Sequence, residues 1–456
     1  MSNTTTYTPH TPEHDARTSR KRRGKLRTMQ LAAVVMMTIS GGPYGLEPLM
    51  NYVGSHGAMA LLLLTPLLWD IPTMLAVLEL NSMMPVTGGY YQWVKRALGL
   101  RFAWYEGLWT WLYTFVDLAI YPVLFVEYVS FIVPEVMAFK VPICLLIIWS
   151  SAYLNIRGIV PVGKVSEVLG LAVITPFVVM LAVYVWNHGG DVGALKVPSP
   201  SLEGLSLASL GMGLYTVMWN FLGWDNVTTY ADEVAKPVRS YVKSVGTSFV
   251  VIFLIYFIAI VLASSSGVDF SALEDKGFPM LGTVIGGGWL GMLVALGGMA
   301  SGLGLYSSVL LSVSRIPKVM AEDGLLPSVV MREHPRYGTP VISILVCSVV
   351  VSIMIVLSFA ELLIMDVIIY GAALSLEFVS LVVLRHREPH VPRPFRIPLP
   401  TRLLPLLFLV PMLVYATALV GVSISEEHAL LPTMIALGVL VSGEVLWQLV
   451  KRRRTV

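Results

Sequence analysis

Charged residues and cysteines are both scarce in this chain of 456 residues. Only 13% of the residues are charged and 56% are hydrophobic, and the mean hydropathy is +0.75. Soluble domains carry roughly 25% charged residues, so we predict an integral membrane protein. The two cysteines, Cys144 and Cys347, both lie within apolar runs, which argues against a fold held by disulfide bonds.

Long polar segments are also missing. The longest polar connections, near 187–207, 265–282, 314–339 and 385–402, are too short to bury a core of their own. Most apolar runs are about 20 residues long, the helix length that crosses roughly 30 Å of hydrocarbon. The sequence therefore predicts an all-α membrane protein with twelve transmembrane helices. Their approximate bounds are 28–52, 58–83, 102–133, 141–156, 165–186, 208–234, 244–264, 283–313, 340–357, 362–384, 403–423 and 430–450.

Motifs of hydrolases and metalloenzymes are absent as well. The sequence contains no HExxH, no GxSxG and no pairing of Cys with His, and its eight histidines lie in tails, loops or span ends. A membrane-embedded enzyme would need a nucleophile with its base, or a metal cluster. We therefore expect neither an enzyme nor a bound cofactor or metal ion.

The distribution of Lys and Arg predicts how the chain is oriented in the cell membrane. These residues are retained on the cytoplasmic side, so the basic stretches "RTSRKRRGKLR" and "KRRR" place both termini in the cytoplasm. Only Lys140, Lys196 and Lys276 then lie outside, which leaves 28 of the 31 Lys and Arg residues inside or at the inner ends of helices. The net charge of +3 therefore reflects topology and not nucleic-acid binding.

Two predicted spans contain residues that break helices. The first breaks at "SGGPYG", which includes Gly41, Gly42 and Tyr44, and the sixth breaks at "NFLGWDN", residues 220–226. If spans 1–5 and 6–10 are repeats, the breaks correspond, and the repeats are inverted because five is an odd number of crossings. Unwound backbone in a membrane is tolerated where it lines a cavity, and paired breaks mark a transporter's substrate site. The alternative is a simple packing kink.

Several motifs resemble the amino acid-polyamine-organocation transporters. "SRIPKVMAEDGLLP" with "HPRYGTPVISIL" is similar to the loop after span 8 of that superfamily, and "NIRGIVPVGKVSEVLGL" is similar to its span 5. "GGYYQWVKRALG", "DLAIYPVLFVEY", "WNFLGWDNVTTYADEVAKP" and "LEFVSLVVLRHREPHVPRPFRIPL" most resemble polyamine uptake transporters of plants and protozoa and their bacterial relatives. The resemblance covers most of residues 30–400.

This resemblance implies a LeuT-like fold of ten core helices in two inverted repeats, with spans 11 and 12 peripheral. The chain then divides into a disordered basic tail over 1–27, repeats over 28–186 and 208–384, and peripheral helices over 403–450. The resemblance also implies substrate uptake driven by an ion gradient, commonly of protons. One departure is Pro43, which removes an amide donor from the first break and weakens the expectation that it holds a substrate carboxylate.

Acidic residues are frequent within the predicted spans, and few basic residues accompany them. An ionisable group near the centre of a bilayer costs a few kcal/mol or more, so each is a functional candidate by default. An excess of carboxylates suits a positively charged substrate, or protons. The acidic residues are Glu47, Asp70, Glu79, Glu106, Asp117, Glu127, Glu167, Asp225, Asp366 and Glu377.

Span 3 combines acidic and aromatic side chains on one stripe. Carboxylates and aromatic faces both attract ammonium groups, so we expect Tyr113, Asp117 and Tyr121 to contact the substrate. The alternative is an aromatic packing face with Asp117 bonded to a neighbouring helix. At 100° per residue the stripe contains Glu106, Thr110, Tyr113, Asp117, Tyr121 and Tyr128.

The break in span 6 is flanked by Trp219, Asn220, Trp224 and Asp225, which we also predict to bind the substrate. Two roles fit Asp225: neutralising a substrate amine, or capping the next half-helix. Each tryptophan either contacts an aliphatic chain, gates the pocket or simply packs.

Four further acidic positions are assigned by their place in the spans. Glu47, one turn beyond the first break, either complements the charge of the substrate or stabilises the following helix. Asp366 and Tyr370 lie one turn apart on span 10 and are predicted to close the pocket. Salt bridges with loop arginines are an equally good explanation for Glu79 and Glu377.

Three residues are candidates for coupling to protons. A titrating carboxylate, Asp117 or Glu47, is one type of carrier. Lys164 on span 5 is the other, because a lysine of that span replaces a sodium ion in some related transporters; a lysine that snorkels to the membrane boundary is its alternative explanation. Sodium itself would need carbonyls of span 1 with hydroxyls such as that of Ser301.

The leading hypothesis is a secondary transporter that imports a polyamine or related organic cation with protons by alternating access. The alternative is an amino acid permease, symporter or exchanger, with the same architecture. A channel is disfavoured because paired breaks build an occluded site and not a continuous filter. The predicted partners are thus a small-molecule substrate, a proton and the lipid bilayer.

Overall fold

The computed structural model describes residues 25–356, 359–425 and 430–454, and every structural statement below concerns these ranges. Within them the chain is helical, and strand-like pairing is limited to two isolated bridges. The helices are α1 Thr28–Ile39, α2 Pro48–Thr65, α3 Ile71–Met83, α4 Gly89–Leu98, α5 Leu100–Ile132, α6 Lys140–Ile156, α7 Ile159–Asn187, α8 Leu207–Trp219, α9 Pro237–Ser266, α10 Phe270–Lys276, α11 Phe278–Gly286, α12 Gly288–Val313, α13 Ile316–Glu322, α14 Val341–Met354, α15 Phe359–Arg387, α16 Leu404–Ser425 and α17 Leu430–Arg454.

Nine helical segments of the described chain are long and apolar enough to cross a membrane. Three shorter apolar helices, α1, α8 and α14, lie where the sequence predicts further spans. The chain is therefore an all-helical, multi-pass membrane protein. The nine segments are Pro48–Met83, Leu100–Ile132, Pro134–Ile156, Ile159–Asn187, Pro237–Ser266, Gly288–Glu322, Met365–Arg387, Thr401–Ile424 and Thr433–Arg452.

The predicted basic tail is described only at its end. Residues 1–24 lie outside the described ranges. Leu26 is fully buried, and its backbone exchanges hydrogen bonds with the Glu233 carbonyl at 3.1 Å and the Ala235 amide at 3.0 Å. The residues just before α1 are thus held against the segment that precedes α9.

The first helix break separates α1 from α2. Gly41, Gly42 and Gly45 have φ angles of 57°, 96° and 98°, values that glycine adopts without the steric cost that Cβ imposes on other residues. Pro43 lacks an amide hydrogen, and Pro48 begins the next helix, where a missing N–H costs nothing. Residues 40–47 are all buried, so protein and not lipid surrounds the unwound backbone.

The second break follows α8 and is longer than the sequence predicts. In place of a second half-helix, residues 220–236 are irregular backbone with two single 3-10 turns, Asn226–Thr228 and Ala231–Glu233. The Thr228 and Thr229 hydroxyls donate to the carbonyls of Asp225 and Asn226 at 2.7 and 3.0 Å. Such local side-chain bonds compete with the α-helical ladder, which explains the difference.

Helix α5 runs through the centre of the bundle and packs against α12 and α15. Helix α1 packs against α7, α9 and α12, whereas α8 packs against α2 and α16. Residues of both breaks line one cavity together with α5, the helix that carries the acidic and aromatic stripe.

Candidate substrate site between the two helix breaks

Hydrogen bonds join the two breaks directly. The Asn220 side-chain amide donates to the Gly45 carbonyl at 3.2 Å, so the second break holds the first. The Tyr256 hydroxyl on α9 lies 2.7 Å from both the Ser40 hydroxyl and the Asn220 carbonyl. Sequence reasoning missed Tyr256, whose only signal is a lone tyrosine hydroxyl in an apolar span.

The amide groups of the first break are used by the protein itself. The amide of Gly41 donates to the Met36 carbonyl at 3.2 Å, and that of Gly42 donates to the Ser40 hydroxyl at 2.9 Å. The Gly45 amide donates to a carboxylate oxygen of Glu47 at 2.5 Å. Since Pro43 has no amide hydrogen, four of the five residues 41–45 offer no free donor to a substrate carboxylate.

A narrow cavity of about 20 Å³ lies beside the breaks. This volume holds a group about the size of one water molecule. Side chains of α5, of the second break and of α15 meet there, and most of them are predicted site residues. Its walls include Tyr113, Asp117, Tyr121, Trp219, Asn220 and Asp366.

Two carboxylates face this narrow cavity. Asp117 accepts a hydrogen bond of 2.5 Å from Tyr121, and Asp366 lies close enough to Asp117 to interact with it electrostatically. One carboxylate oxygen of Asp366 is buried without a hydrogen-bond partner, and neither residue forms an ion pair within the described chain. A buried carboxylate without a partner is costly, so a cation between the two would be stabilised strongly.

Tyr113 and Tyr370 separate the narrow cavity from Asp225. Their rings pack edge to face with centroids 5.2 Å apart. The Tyr370 hydroxyl donates to Asp225 at 2.8 Å, and the Tyr113 hydroxyl donates to the side-chain oxygen of Asn226 at 3.0 Å. Asp225 therefore lies behind the wall of the cavity and not on it.

Other predicted site residues hold the structure around the cavity. The Trp224 indole donates to Asp70 at 3.2 Å and packs near Phe249. The Tyr44 hydroxyl donates to the Val294 carbonyl at 2.9 Å. Neither Trp224 nor Tyr44 lines the narrow cavity.

The glycines of the first break face neighbouring helices. A Cβ atom on Gly41 would lie 2.6 Å from the Ser301 hydroxyl oxygen, and one on Gly42 would collide with Val173. Gly41 thus packs against α12 and Gly42 against α7. Their role in this structure is close packing, and neither lines the narrow cavity.

A wide cavity of about 530 Å³ lies on the other side of Trp219, which lines both cavities. Its volume falls in the range of small-molecule pockets. Four acidic residues and one basic residue line it. These are Glu47, Glu127, Glu274, Asp275 and Lys276.

Glu47 connects three elements at the wall of the wide cavity. Besides the Gly45 amide, it accepts hydrogen bonds from the Tyr128 hydroxyl at 2.6 Å and the Phe278 amide at 3.4 Å. Glu47 is only 5% exposed. Its carboxylate thus fixes the first break against α5 and α11, whereas Lys164 is exposed on α7 and lines neither cavity.

For both Glu79 and Glu377 the sequence leaves two explanations open, a functional role and a salt bridge with arginine. In the structure only Glu79 forms the salt bridge within the described chain. Glu79 accepts two hydrogen bonds from the Arg385 guanidinium, at 2.7 and 2.5 Å, and lies 3.5 Å from Arg393. It also accepts the Ile397 amide at 2.8 Å. Glu377 is equally buried, yet neither of its oxygens accepts a hydrogen bond from an N–H or O–H group of the described chain.

Comparisons with known proteins agree with the resemblance found in the sequence. A family model described as amino acid permease matches residues 26–441. Polyamine transporter RMV1 of Arabidopsis thaliana is 30% identical over 433 residues, covering 94% of this chain and 86% of that protein. Polyamine transporter PUT1 of Oryza sativa subsp. japonica is 32% identical, and the match covers 91% of this chain and 76% of that protein. Branched-chain amino acid permease BcaP of Bacillus subtilis is 23% identical, and the match covers 54% of this chain and 51% of that protein.

Proposed function

The chain belongs to the amino acid permease family, and on that premise we propose that it carries a polyamine or a related organic cation across the membrane by alternating access. Membership of this family makes it a transporter and not an enzyme. The relatives named as polyamine transporters support the choice of substrate. The coupled ion in this proposal is a proton.

The observation that carries the proposal is the pair of carboxylates at the narrow cavity. Asp117 and Asp366 interact with each other there without a cation from the protein. Together with the rings of Tyr113 and Tyr121 they form a site with the charge and the size for one ammonium group.

The first break supports a cation over an amino acid. A zwitterionic amino acid needs donors for its carboxylate, and unwound helix 1 is where such donors are expected. The amides of Gly41, Gly42 and Gly45 are already bonded inside the protein, and Pro43 has none. A substrate that has only amines and methylene groups needs none of them.

The two cavities suggest how a long cation is held. The narrow cavity has room for one ammonium group, so the remainder of a polyamine extends past Trp219 into the wide cavity. The carboxylates lining that cavity suit a second ammonium group. We place the wide cavity on the extracellular side, since this agrees with both termini being cytoplasmic.

The architecture in this proposal has twelve spans, of which the first ten form two inverted repeats of the LeuT type. Nine long helices and three shorter apolar ones supply the required number. The interruptions after α1 and after α8 fall at the first span of each five-helix set. Helices α16 and α17 are then peripheral.

A panel of ligands tests the substrate class on the purified protein. Putrescine, spermidine and agmatine are expected to raise the unfolding temperature, because a ligand stabilises the state that it binds. Leucine is expected to leave it unchanged. The D117N variant should bind the polyamine at least about 30-fold more weakly, since removing one partner of a buried charge pair costs about 2 kcal/mol or more.

The E167Q variant is the matched control, because it removes a carboxylate from α7 that lines neither cavity. Its ligand response should equal that of the wild type. Stabilisation by leucine but by no polyamine, with D117N unaffected, would show an amino acid permease and refute the proposal.

A further inference from the structure

A second group of acidic residues lies behind the tyrosines that close the narrow cavity. Glu106 on α5, Glu377 on α15 and Asp225 in the second break are each at most 2% exposed. Glu377 interacts electrostatically with both of the others, so the three carboxyls form one cluster. We call Glu106, Asp225 and Glu377 the inner carboxyl cluster.

The inner carboxyl cluster lies apart from the carboxylates at the narrow cavity. On α5, Glu106 precedes Asp117 by three turns, and on α15 Glu377 follows Asp366 by the same interval. Three turns correspond to roughly 16 Å along a helix. Since both pairs meet across the interface of α5 and α15, the bundle contains two acidic levels at different depths.

The inner carboxyl cluster lacks the positive charge that buried carboxylates require. No Lys, Arg or His of the described chain forms an ion pair with any of its members. One oxygen of Glu106 and both oxygens of Glu377 are buried without a hydrogen-bond donor. Three charged carboxylates together would cost far more than packing repays, so either protons or another cation must balance the charge there.

A fourth polar group points to the same position. The Tyr90 hydroxyl on α4 is fully buried and has no hydrogen-bond partner among the described residues. Its electrostatic neighbours are the three members of the inner carboxyl cluster. Within the described chain, three separate elements, α4, α5 and α15, thus direct unsatisfied polar atoms toward the part of the interior where Asp225 lies.

Glu79 shows how this protein surrounds a buried acidic side chain with positive charge. Two arginines and one backbone amide surround it. No such partners surround Glu377, although it lies equally deep in the bundle. The difference indicates that a transported cation, and not a fixed basic side chain, balances the charge of the inner carboxyl cluster.

We propose that the inner carboxyl cluster binds the proton that is transported with the cation. A proton on Glu377 converts a carboxylate into a donor, and the neighbouring carboxylate of Asp225 is its acceptor. The other titratable groups facing this position are the neutral hydroxyls of Tyr90, Tyr113 and Tyr370. This inference rests on the proposed transport function and assigns its coupling site.

A proton fits the cluster better than a larger cation does. Within the described residues, no group of three His, Cys, Asp or Glu side chains is placed to hold a metal ion. An ammonium group would have to displace the packed rings of Tyr113 and Tyr370 to arrive from the narrow cavity. A proton needs no cavity and only a chain of oxygen atoms.

The same tyrosines connect the cluster with the substrate. The Tyr370 hydroxyl donates to Asp225 and lies 3.4 Å from the Gly223 amide, and Gly223 lines the narrow cavity. Tyr113 lines that cavity as well. A change of charge on the inner carboxyl cluster therefore acts on the cavity wall through one layer of side chains.

Reconstitution into liposomes distinguishes proton coupling from substrate transport itself. The wild type and the variants E377Q, E106Q and E167Q are compared in three measurements: substrate binding by thermal shift, exchange at equal pH, and accumulation driven by a pH gradient with a trapped pH dye. E377Q and E106Q should bind and exchange within about twofold of the wild type. Both should lose at least tenfold of gradient-driven accumulation and of substrate-dependent proton entry, whereas E167Q should lose neither.

Two results for the variants would overturn the inference. One is that E377Q accumulates substrate in a pH gradient to the wild-type level. The other is that E377Q loses both substrate binding and exchange, which would show that the cluster binds an ammonium group of the substrate. If E377Q does not fold, E106Q decides in the same way.

The wild type distinguishes this inference from the function on which it rests. Polyamine transport without proton movement refutes the coupling site and leaves the transport function intact. Absence of polyamine transport refutes the proposed function, and the coupling test then uses the substrate that the thermal-shift panel identifies.

Discussion

Glu79 and Glu377 have the same side chain and nearly the same burial, but opposite surroundings. Arg385 and Arg393 neutralise Glu79, whereas Glu377 forms no ion pair within the described chain and interacts electrostatically with the acidic groups of Asp225 and Glu106. Breaking a buried pair costs about 3–5 kcal/mol, so Glu79 is needed for stability. Among the buried acidic residues of the described chain, those without a basic partner are therefore the candidates for transport.

Tyr256 illustrates the opposite case, a residue whose function lies in positioning. Its hydroxyl bridges Ser40 in the first break and Asn220 in the second. We expect Y256F to lose about 1–3 kcal/mol of stability, because buried acceptors are left unsatisfied. The unfolding temperature should fall and substrate affinity should fall with it.

Tyr153 provides the control for that substitution. It is 61% exposed on α6, and among the described residues its hydroxyl accepts a hydrogen bond only from Arg157, at 2.8 Å. Y153F should leave both the unfolding temperature and the affinity unchanged. Equal behaviour of the two variants would show that the link between the breaks does not matter.

At the scale of elements, the first break depends on glycine. Gly41 has a φ of 57°, and a Cβ atom there would come within 2.6 Å of the Ser301 hydroxyl oxygen. A left-handed backbone costs a residue other than glycine about 1–2 kcal/mol, and the collision with α12 adds to this. G41A should therefore lower the unfolding temperature and reduce transport.

A glycine elsewhere in the bundle supplies the comparison. Gly246 lies within α9 in helical conformation, and a Cβ atom there would meet nothing within 4 Å. G246A should be neutral or stabilising by about 0.5–1 kcal/mol. Transport by G41A at the level of G246A would exclude a constrained backbone at the first break.

At the scale of the whole molecule, the two cavities differ greatly in size. The wide cavity measures about 530 Å³ and the narrow one about 20 Å³, with Trp219 at the wall of both. This asymmetry is what a carrier open toward one side presents. A pore would need a continuous passage.

Exchange across a membrane tests this property. Liposomes preloaded with unlabelled substrate should take up labelled substrate several-fold faster than empty ones, because a loaded carrier returns to the outside more readily than an empty one. The rate should also saturate with substrate concentration. Uptake that rises linearly and ignores the internal substrate would indicate a pore.

The positions of the long apolar helices and of both breaks were predictable from the sequence, whereas the short helices α4, α10 and α13 lie outside the predicted spans. Apolar length marks the spans, and Gly41, Gly42 and Pro43 mark the first break. The extent of the second break was not predictable, because the bonds of Thr228 and Thr229 replace a helix that the apolar pattern favours. Six predicted site residues share one cavity in the structure, whereas Tyr44 and Trp224 pack away from it; the six are Tyr113, Asp117, Tyr121, Trp219, Asn220 and Asp366.

The sequence by itself determined that the chain is a membrane protein and which segments form its long apolar helices. It also determined that acidic side chains outnumber basic ones within the predicted spans. These properties depend on composition and on neighbours along the chain. Only the tertiary structure decided which of those acidic residues forms an ion pair with a basic residue. Glu79 meets Arg385 from a distant part of the chain, and Glu377 meets Asp225 and Glu106. The charge that a buried group can carry depends on its neighbours in space, and folding alone brings those together.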